Sequence, residues 1–217
     1  MEEQTIIETE NIIKYIKKLD IDIYGIADMH LLKEMKTGIP INLIKFIDMF
    51  PYAIILGAQY GKLGKKASGG KTALFLEEAA FSILEYLEAK GYRNLIIHTE
   101  DEFDPVNRLG FMSLKLLAKA AGLGWQGRSL LIISPEYGPL HRLIAILTDL
   151  PLQTNQVIKN DCGNCRKCIE ACPQNALTFV EFIDHPTNRE DVLDIKTCLG
   201  DNGCKLCILS CPRLKKS

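Results

Sequence analysis

The sequence predicts an α+β protein with a sheet domain in residues 1–155 and a small cysteine-rich module in residues 156–217. Strand-like and helix-like segments alternate over the first 150 or so residues, which is typical of a layered fold around one sheet. All eight cysteines lie in the last third of the chain. A polar connector at residues 155–161 separates the two parts, and we expect the domain boundary there.

The first half of the sheet domain contains helical and strand-like segments. Residues 5–19 repeat isoleucine near helical spacing between charged residues, which predicts an amphipathic helix. A short strand is expected within residues 20–29, followed by helical pieces that break at Gly38 and Pro40. Residues 52–60 are almost continuously apolar, so they are expected to form a strand buried on both faces.

The second half begins with the longest predicted helix, residues 72–90. Strands are expected at residues 93–98, 129–134 and 141–150, with a further helix over residues 110–121. The spacing of apolar residues in the long helix predicts an inward-facing stripe made of Leu74, Phe75, Ala79, Ile83, Tyr86 and Leu87.

The cysteines fall into two runs that both end in Cys-Pro. The first run, CxxCxxCxxxCP, contains Cys162, Cys165, Cys168 and Cys172, and the second, CxxxxxCxxCxxxCP, contains Cys198, Cys204, Cys207 and Cys211. The first spacing is that of bacterial ferredoxins, in which three thiolates bind one 4Fe–4S cluster and the fourth reaches a second cluster. The sequence therefore predicts two 4Fe–4S clusters, one on Cys162, Cys165, Cys168 and Cys211 and one on Cys172, Cys198, Cys204 and Cys207.

Structural zinc and disulfide bonds are the competing interpretations of these cysteines. Zinc sites usually pair two CxxC elements across a dozen or more residues, whereas the first run packs four cysteines together. Disulfide frameworks belong to oxidising compartments and to small domains with little core. Cys198 departs from the ferredoxin pattern, because five residues rather than two separate it from Cys204.

The composition limits the possible partners and compartments. The 26 basic residues are balanced by 27 acidic ones, so the chain has no general attraction to nucleic acid. The N-terminus lacks the features of a signal peptide, and no apolar stretch is long enough to span a bilayer. We therefore expect a cytoplasmic protein that does not bind membranes.

Two glycine-rich stretches imitate nucleotide-binding motifs. The loop from Lys62 to Lys71 has Lys65 where the phosphate-binding P-loop requires glycine. GLGWQG, residues 122–127, matches GxGxxG but follows a helix and precedes a strand, the reverse of the dinucleotide-binding context. Trp125 in this stretch is either a cofactor platform or a core side chain, and composition alone favours the core.

Three segments in order resemble the epoxyqueuosine reductase family: AKAAGLGWQGRSLLIISPEYG, ILTDLPL and CGNCRKCIEACP. Members of this family are cobalamin-dependent iron–sulfur enzymes of queuosine biosynthesis related to reductive dehalogenases. The resemblance implies that residues 1–155 form a nitroreductase-like α/β domain that binds a corrinoid. It also implies that a bacterial-ferredoxin-like double-cluster module delivers electrons to the cobalt.

The resemblance also suggests site residues. It places beside the corrinoid Tyr60, Gly122, Gly124, Trp125, Gly127, Arg128 and Tyr137. Family members that act on transfer RNA have an aspartate proton donor at the end of a strand, followed shortly by proline. Here His98 ends the strand and Asp104 precedes proline, so both are candidates for the catalytic acid.

The sequence departs from the family at its end. It stops five residues after Pro212, without the helical repeat domain that grips transfer RNA, and the segment between Cys198 and Cys204 is short. We therefore expect an oxidoreductase that reduces a small electrophilic substrate, with transfer RNA not expected as a partner. The alternatives are an electron-transfer or activator protein that acts on a redox partner protein, and a reductase with FMN in place of cobalamin.

Overall fold

The computed structural model describes residues 2–34, 41–60, 62–63, 69–99, 110–159, 161–181, 188–200 and 203–214. The candidate acid Asp104 and the loop around it lie outside these ranges. Within the ranges, none of the helices combines the length and hydrophobicity of a bilayer span.

A four-stranded antiparallel sheet forms the centre of the first domain. Its strands are β1 (Ile23–Asp28), β2 (Tyr52–Gln59), β3 (Asn94–Ile97) and β6 (His141–Thr148), in the spatial order β1-β2-β6-β3. The two central strands pair along their full length, from Tyr52 opposite Thr148 to Gln59 opposite His141. The described strand pairs of this sheet are all antiparallel, so the α+β class holds while a parallel α/β sheet does not.

Helices cover both faces of this sheet. One face carries α1 (Glu2–Lys18) and α4 (Gly69–Ala89), and the other carries α2 (Leu31–Glu34), α3 (Ile41–Met49) and α5 (Leu114–Ala120). Strand β2 is buried on both faces as expected, because Ile54 and Leu56 belong to one apolar core and Ala53 and Ile55 to the other. Burial on two faces explains the nearly continuous apolar sequence of this strand.

Helix α4 buries part of the predicted stripe, namely Ala79, Ile83 and Leu87. Leu74 was expected inside but is 60% exposed. Five of its buried positions follow alternating steps of three and four residues, as a helix on a flat sheet requires: Ala73, Leu76, Ala80, Ile83 and Leu87. Small alanines at two of these positions let the helix lie close to the sheet.

A two-stranded hairpin lies between α5 and the central strand β6 in the chain. It consists of β4 (Trp125–Gln126) and β5 (Ile132–Ile133), in which Trp125 is paired with Ile133. Helix α5 lies so close to β1 that a Cβ added at Gly25 would be 2.4 Å from the carbonyl oxygen of Ala121. This close approach fixes where the hairpin starts.

The cysteine-rich module contains short elements only. Helices α6 (Lys167–Glu170) and α7 (Leu206–Leu209) pack against each other, and a 3-10 turn spans Arg189–Asp191. The connector before the module still belongs to the sheet, since Asn155 exchanges hydrogen bonds with Ile26 on β1. The exact boundary after residue 155 stays a prediction.

Candidate functional site

The eight thiols interact in two groups that cross between the runs. The thiol of Cys211, at the end of the second run, interacts electrostatically with those of Cys162 and Cys165 in the first. The thiol of Cys207 interacts with those of Cys198 and Cys204 and also with Cys172 of the first run. Each run therefore contributes its last cysteine to the group of the other run, as in crossed ferredoxin ligation. The ligand assignment itself stays a prediction.

Burial and crowding disfavour free thiolates in both groups. Burial, together with the neighbouring thiols of Cys162, Cys207 and Cys165, raises the pKa of Cys168 to about 11. The pKa values of Cys207 and Cys211 are also raised, mainly by burial. Bound iron would supply the positive charge that stabilises several crowded thiolates. The set of sulfur donors therefore fits an iron–sulfur cluster.

Two further observations describe how the thiols are arranged. Across the described ranges, no three histidine, cysteine, aspartate or glutamate side chains converge tightly enough to hold a single metal ion. The interaction between Cys168 on α6 and Cys207 on α7 joins the two groups. The two thiol groups are therefore neighbours, and each of the packed helices α6 and α7 carries one of their thiols.

Trp125 connects the sheet domain to the first thiol group. Its side chain is buried, and its indole Nε1 donates a hydrogen bond to Sγ of Cys162 over 3.3 Å. The guanidinium of Arg213 lies 5.7 Å from the ring centroid and also pairs with Asp161. Trp125 is thus a core side chain, as composition favoured, and at the same time a partner of a predicted cluster ligand.

Arg128 makes a second connection between the two parts. Its guanidinium donates hydrogen bonds to the carbonyl oxygens of Gly163, at 2.5 Å, and Val180, at 3.3 Å. It also lies 4.2 Å from the ring centroid of Phe179, a ring that Arg166 approaches to 3.9 Å. In the described structure this side chain therefore braces the loops of the cysteine-rich module.

The three glycines of GLGWQG are packed against the chain itself. An added Cβ would be 2.3 Å from the carbonyl oxygen of Gln156 at Gly122 and 2.2 Å from that of Ile133 at Gly124. At Gly127 it would be 2.7 Å from the side chain of Ile133. Close packing of the hairpin therefore explains why these three positions are glycine. The predicted place of these glycines beside a corrinoid stays a prediction.

A cavity of about 370 Å³ opens beside the start of this stretch. Its lining comes from β1, the stretch after α5, the turn after β5 and the connector: Asp22, Ile23, Tyr24, Gly122, Leu123, Ser134, Pro135, Glu136, Asn155 and Ile158. This volume is at the lower end of the range for small-molecule sites. A complete cobalamin is larger, so the described residues account for only part of such a site.

Tyr137 and Tyr60 lie at different places around this region. Burial raises the pKa of Tyr137, and the carboxylates of Asp22 and Glu136, which line the cavity, raise it further. The hydroxyl of Tyr60 accepts a hydrogen bond from Nε of Arg142 at 2.7 Å. Nζ of Lys205, from the second cysteine run, lies 5.5 Å from the Tyr60 ring. Tyr60 therefore contacts the cysteine-rich module, and Tyr137 lies near the cavity.

His98 is not brought together with these residues in the described structure. Its Nδ1 lies 2.7 Å from Oε2 of Glu77 on α4, across the sheet from α5. The side chain is 52% exposed. Its role as a catalytic acid stays a prediction, and Asp104 is outside the described residues.

Sequence reasoning missed several residues that take part in these contacts. Arg166 and Lys205 lie at variable positions inside the cysteine runs, and Phe179 lies outside any motif, so the spacing of the cysteines did not single them out. Arg213 directly follows the second Cys-Pro pair, and a basic residue at that position was the available signal. His141 is half-buried, and its Nδ1 has no hydrogen-bond partner among the described residues.

The sequence of the cysteine-rich module matches a known family model. Residues 161–214 match the 4Fe-4S dicluster domain. The chain is 32% identical over 116 residues to epoxyqueuosine reductase of Bacillus anthracis, covering 49% of this chain and 30% of the relative. It is 34% identical over 107 residues to epoxyqueuosine reductase of Vibrio cholerae, covering 44% and 29%. The matched regions thus span less than a third of these curated relatives.

Solved structures share the fold. A selenomethionine-labelled epoxyqueuosine reductase has a TM-score of 0.69 at 19% identity, covering 94% of this chain and 64% of the other. An epoxyqueuosine reductase bound to a modified tRNA-Tyr stem loop has a TM-score of 0.66 at 19% identity, with the same coverage. A reductive dehalogenase whose structure suggests a mechanism for B12-dependent dehalogenation has a TM-score of 0.63 at 20% identity, covering 93% and 32%.

Two expectations change in the light of these relatives. The FMN alternative finds no support in the comparisons, in which the matched family model describes a 4Fe-4S dicluster domain. The expectation against transfer RNA also loses its support, because a structure of the same fold holds a modified tRNA stem loop.

Proposed function

We propose that this epoxyqueuosine reductase-like chain is an iron–sulfur oxidoreductase that passes electrons from two 4Fe–4S clusters to a cobalamin held by the sheet domain. The observation that carries the proposal is the hydrogen bond from Trp125 to Cys162, which joins the first thiol group to the stretch that borders the cavity. The bound corrinoid would supply the cobalt centre that reduces the substrate, while the protein orients it and excludes oxidants.

The thiol groups suggest the direction of electron transfer. Cys162, Cys165, Cys168 and Cys211 would hold the first cluster, and Cys172, Cys198, Cys204 and Cys207 the second. Because the thiols of Cys168 and Cys207 interact, clusters held by the two groups would be close enough for electrons to pass between them. We infer that electrons enter at the second cluster and leave from the first, beside Trp125.

The cavity residues would hold one part of the cobalamin. Gly122 and Leu123, which line the cavity, would contact it, and Tyr137 would lie near it. Tyr60 and Arg128 contact the cysteine-rich module, so we assign to them the task of fixing that module against the sheet domain. His98, oriented by Glu77, and Asp104 remain the candidates for proton delivery.

The proposed substrate is an epoxide or a similar small electrophile. This class follows from the names of the curated relatives. An epoxide offered as a free nucleoside and the same group within a transfer RNA stem loop are two forms of one substrate chemistry. Assays with both forms decide whether the protein acts on the nucleoside or needs the RNA.

A second function is an electron-transfer protein or activator that docks on a redox partner. The observation in its favour is the exposed apolar surface of α7 beside the second cysteine run, where Leu206 is 47% and Leu209 is 59% exposed. In that case the protein would hold its clusters but reduce no substrate of its own.

Anaerobic reconstitution tests the proposal. About eight irons per chain are expected, and about four irons or stoichiometric zinc would contradict the assignment. The reconstituted protein is then mixed with hydroxocobalamin or, in parallel, with FMN, and followed by absorption and paramagnetic resonance during reduction. One bound cobalamin with a cobalt signal is expected. Eight irons with neither cobalamin binding nor epoxide reduction would favour the electron-transfer alternative.

A further inference from the structure

The only tryptophan of the chain has its polar atom directed at a predicted cluster ligand. Indole Nε1 of Trp125 can donate one hydrogen bond and accept none, and it donates to Sγ of Cys162 at 3.3 Å. The side chain is 3% exposed. Burial of the indole limits the competition of water for this hydrogen bond.

The hairpin holds this donor in a fixed position. Trp125 is paired with Ile133, and the carbonyl and side chain of Ile133 fill the spaces left by Gly124 and Gly127. A Cβ added at Gly127 would lie 3.5 Å from the same Sγ of Cys162. The close packing of the glycines thus brings the indole and the thiol together.

We propose that Trp125 is a positioning residue that raises the reduction potential of the first cluster through its N–H···S hydrogen bond to Cys162. This inference rests on the proposed function, because it requires a cluster on Cys162. Reduction adds one electron to the cluster and increases the negative charge on its thiolate ligands. A hydrogen-bond donor stabilises the more negative, reduced state more strongly, and so raises the potential. The nearby guanidinium of Arg213 acts in the same direction.

The second cluster provides an internal comparison. Its ligand Cys172 accepts a hydrogen bond from the backbone N–H of Ala176 at 3.3 Å, which no side-chain substitution removes. A change at Trp125 should therefore shift the first cluster and leave the second as a reference in the same molecule.

The test removes the N–H donor while keeping an aromatic side chain at position 125. Trp125→Phe deletes the N–H, and replacing Trp125 by β-(3-benzothienyl)alanine exchanges only the N–H for sulfur while keeping the indole shape. Each protein is reconstituted and titrated with dithionite at controlled potential while paramagnetic resonance follows both clusters. Tyr52→Phe, which removes a hydroxyl on β2, is the matched control. The expected result is a downward shift of one midpoint in both Trp125 variants and none in the control.

The outcomes separate this inference from the proposed function. Fewer than eight irons in the unsubstituted protein would overturn the cluster assignment. Eight irons with both midpoints unchanged in the benzothienyl protein would overturn the role of Trp125 alone. If Trp125→Phe loses iron, its midpoints are not comparable with those of the unsubstituted protein. The midpoints of the benzothienyl protein, which keeps the packing, then test the role of Trp125.

A direct measurement of the bond gives a second readout. Because Trp125 is the sole tryptophan, ¹⁵N-labelled tryptophan marks a single indole nitrogen. A ¹⁵N hyperfine coupling to the reduced first cluster is expected in pulsed resonance spectra. Its absence from a fully loaded protein would show that the hydrogen bond does not form.

Discussion

Arg128 joins the two parts of the chain through its guanidinium group. The two carbonyl oxygens that it contacts belong to Gly163, between two predicted ligands of the first cluster, and to Val180, beside Phe179. Because the guanidinium is planar, it can donate to both carbonyls and stack on the ring at the same time. A lysine at this position would keep the positive charge but would lack the planar group with several hydrogen-bond donors.

The first prediction is that Arg128→Lys loosens the first cluster. Loss of a charge-assisted hydrogen bond and of ring stacking should destabilise the packing of the loops around the first cluster by about 1–3 kcal/mol. We expect iron to be released faster to a ferrous chelator in the fully reconstituted protein. The control is Arg93→Lys, which changes an exposed pair with Asp149 at the edge of the sheet domain. Equal release rates in the two variants would contradict the bracing role of Arg128.

The second prediction concerns Gly124, whose Cα faces the backbone of β5. Gly124→Ala would place a methyl group 2.2 Å from the carbonyl oxygen of Ile133. The overlap should cost about 2 kcal/mol, which corresponds to a fall of about 4–8 °C in the thermal midpoint of a chain of this size. In Gly200→Ala the nearest neighbour, Sγ of Cys198, is at 3.5 Å, and the midpoint should barely change. Similar midpoints for both variants would show that the hairpin can move away.

The third prediction concerns pH and His141. Burial lowers the pKa of His141 to about 4, against about 6.5 in the unfolded chain. Between these values the unfolded state binds a proton that the folded state does not, so stability is complete above pH 6.5 and falls as the pH decreases toward 4. From pH 7.5 to pH 5.5 this residue should account for a loss of about 1 kcal/mol.

Chemical unfolding at pH 7.5 and pH 5.5 tests this assignment. His141→Gln should lose less stability over this interval than the unsubstituted protein. His30→Gln, at an exposed turn, should behave like the unsubstituted protein. If His141→Gln keeps the full pH dependence, another group is responsible.

At the scale of elements, apolar patterning predicted most of the sheet domain. The predicted strand at residues 52–60 and the helix at residues 72–90 correspond to β2 and α4, because both bury long apolar surfaces and so leave a strong pattern. The predicted inward-facing stripe of α4 was wrong at Leu74. Where apolar residues are adjacent in the sequence, more than one rotation of the helix about its axis fits the pattern. The antiparallel strand order also lay beyond the sequence, because it depends on contacts between distant segments.

The GLGWQGR hairpin shows why the candidate site was only partly predictable. Its glycines could be recognised as positions of close approach, but the sequence does not say what approaches them. The structure gives Gln156 and Ile133 as these neighbours at Gly122 and Gly124. The contact between Trp125 and Cys162 joins segments 37 residues apart, and neither segment carries a local signal for the other. Spacing could therefore predict the thiol groups but not their connection to the sheet domain.

At the scale of the whole molecule, the crossed thiol groups tie the ends of the module together. Cys211 interacts with Cys162 and Cys165, near the start of the module, and Cys207 interacts with Cys172. Each proposed cluster would thus close a loop of chain that contains most of the module. Because metal binding supplies folding free energy in small domains, we expect the module and its clusters to assemble together.

The last prediction tests the crossing by removing one ligand from each run. If the groups cross, Cys211→Ser disturbs the first cluster although Cys211 lies in the second run, and Cys172→Ser disturbs the second cluster. Each variant should retain about four of eight irons or convert one cluster to a three-iron form, with the other cluster's resonance signal unchanged. The resonance that Cys211→Ser removes should be the one that also shifts in Trp125→Phe, because both residues contact Cys162 or its group. If Cys211→Ser instead leaves the Trp125-sensitive signal intact, each run binds its own cluster and the crossed assignment is wrong.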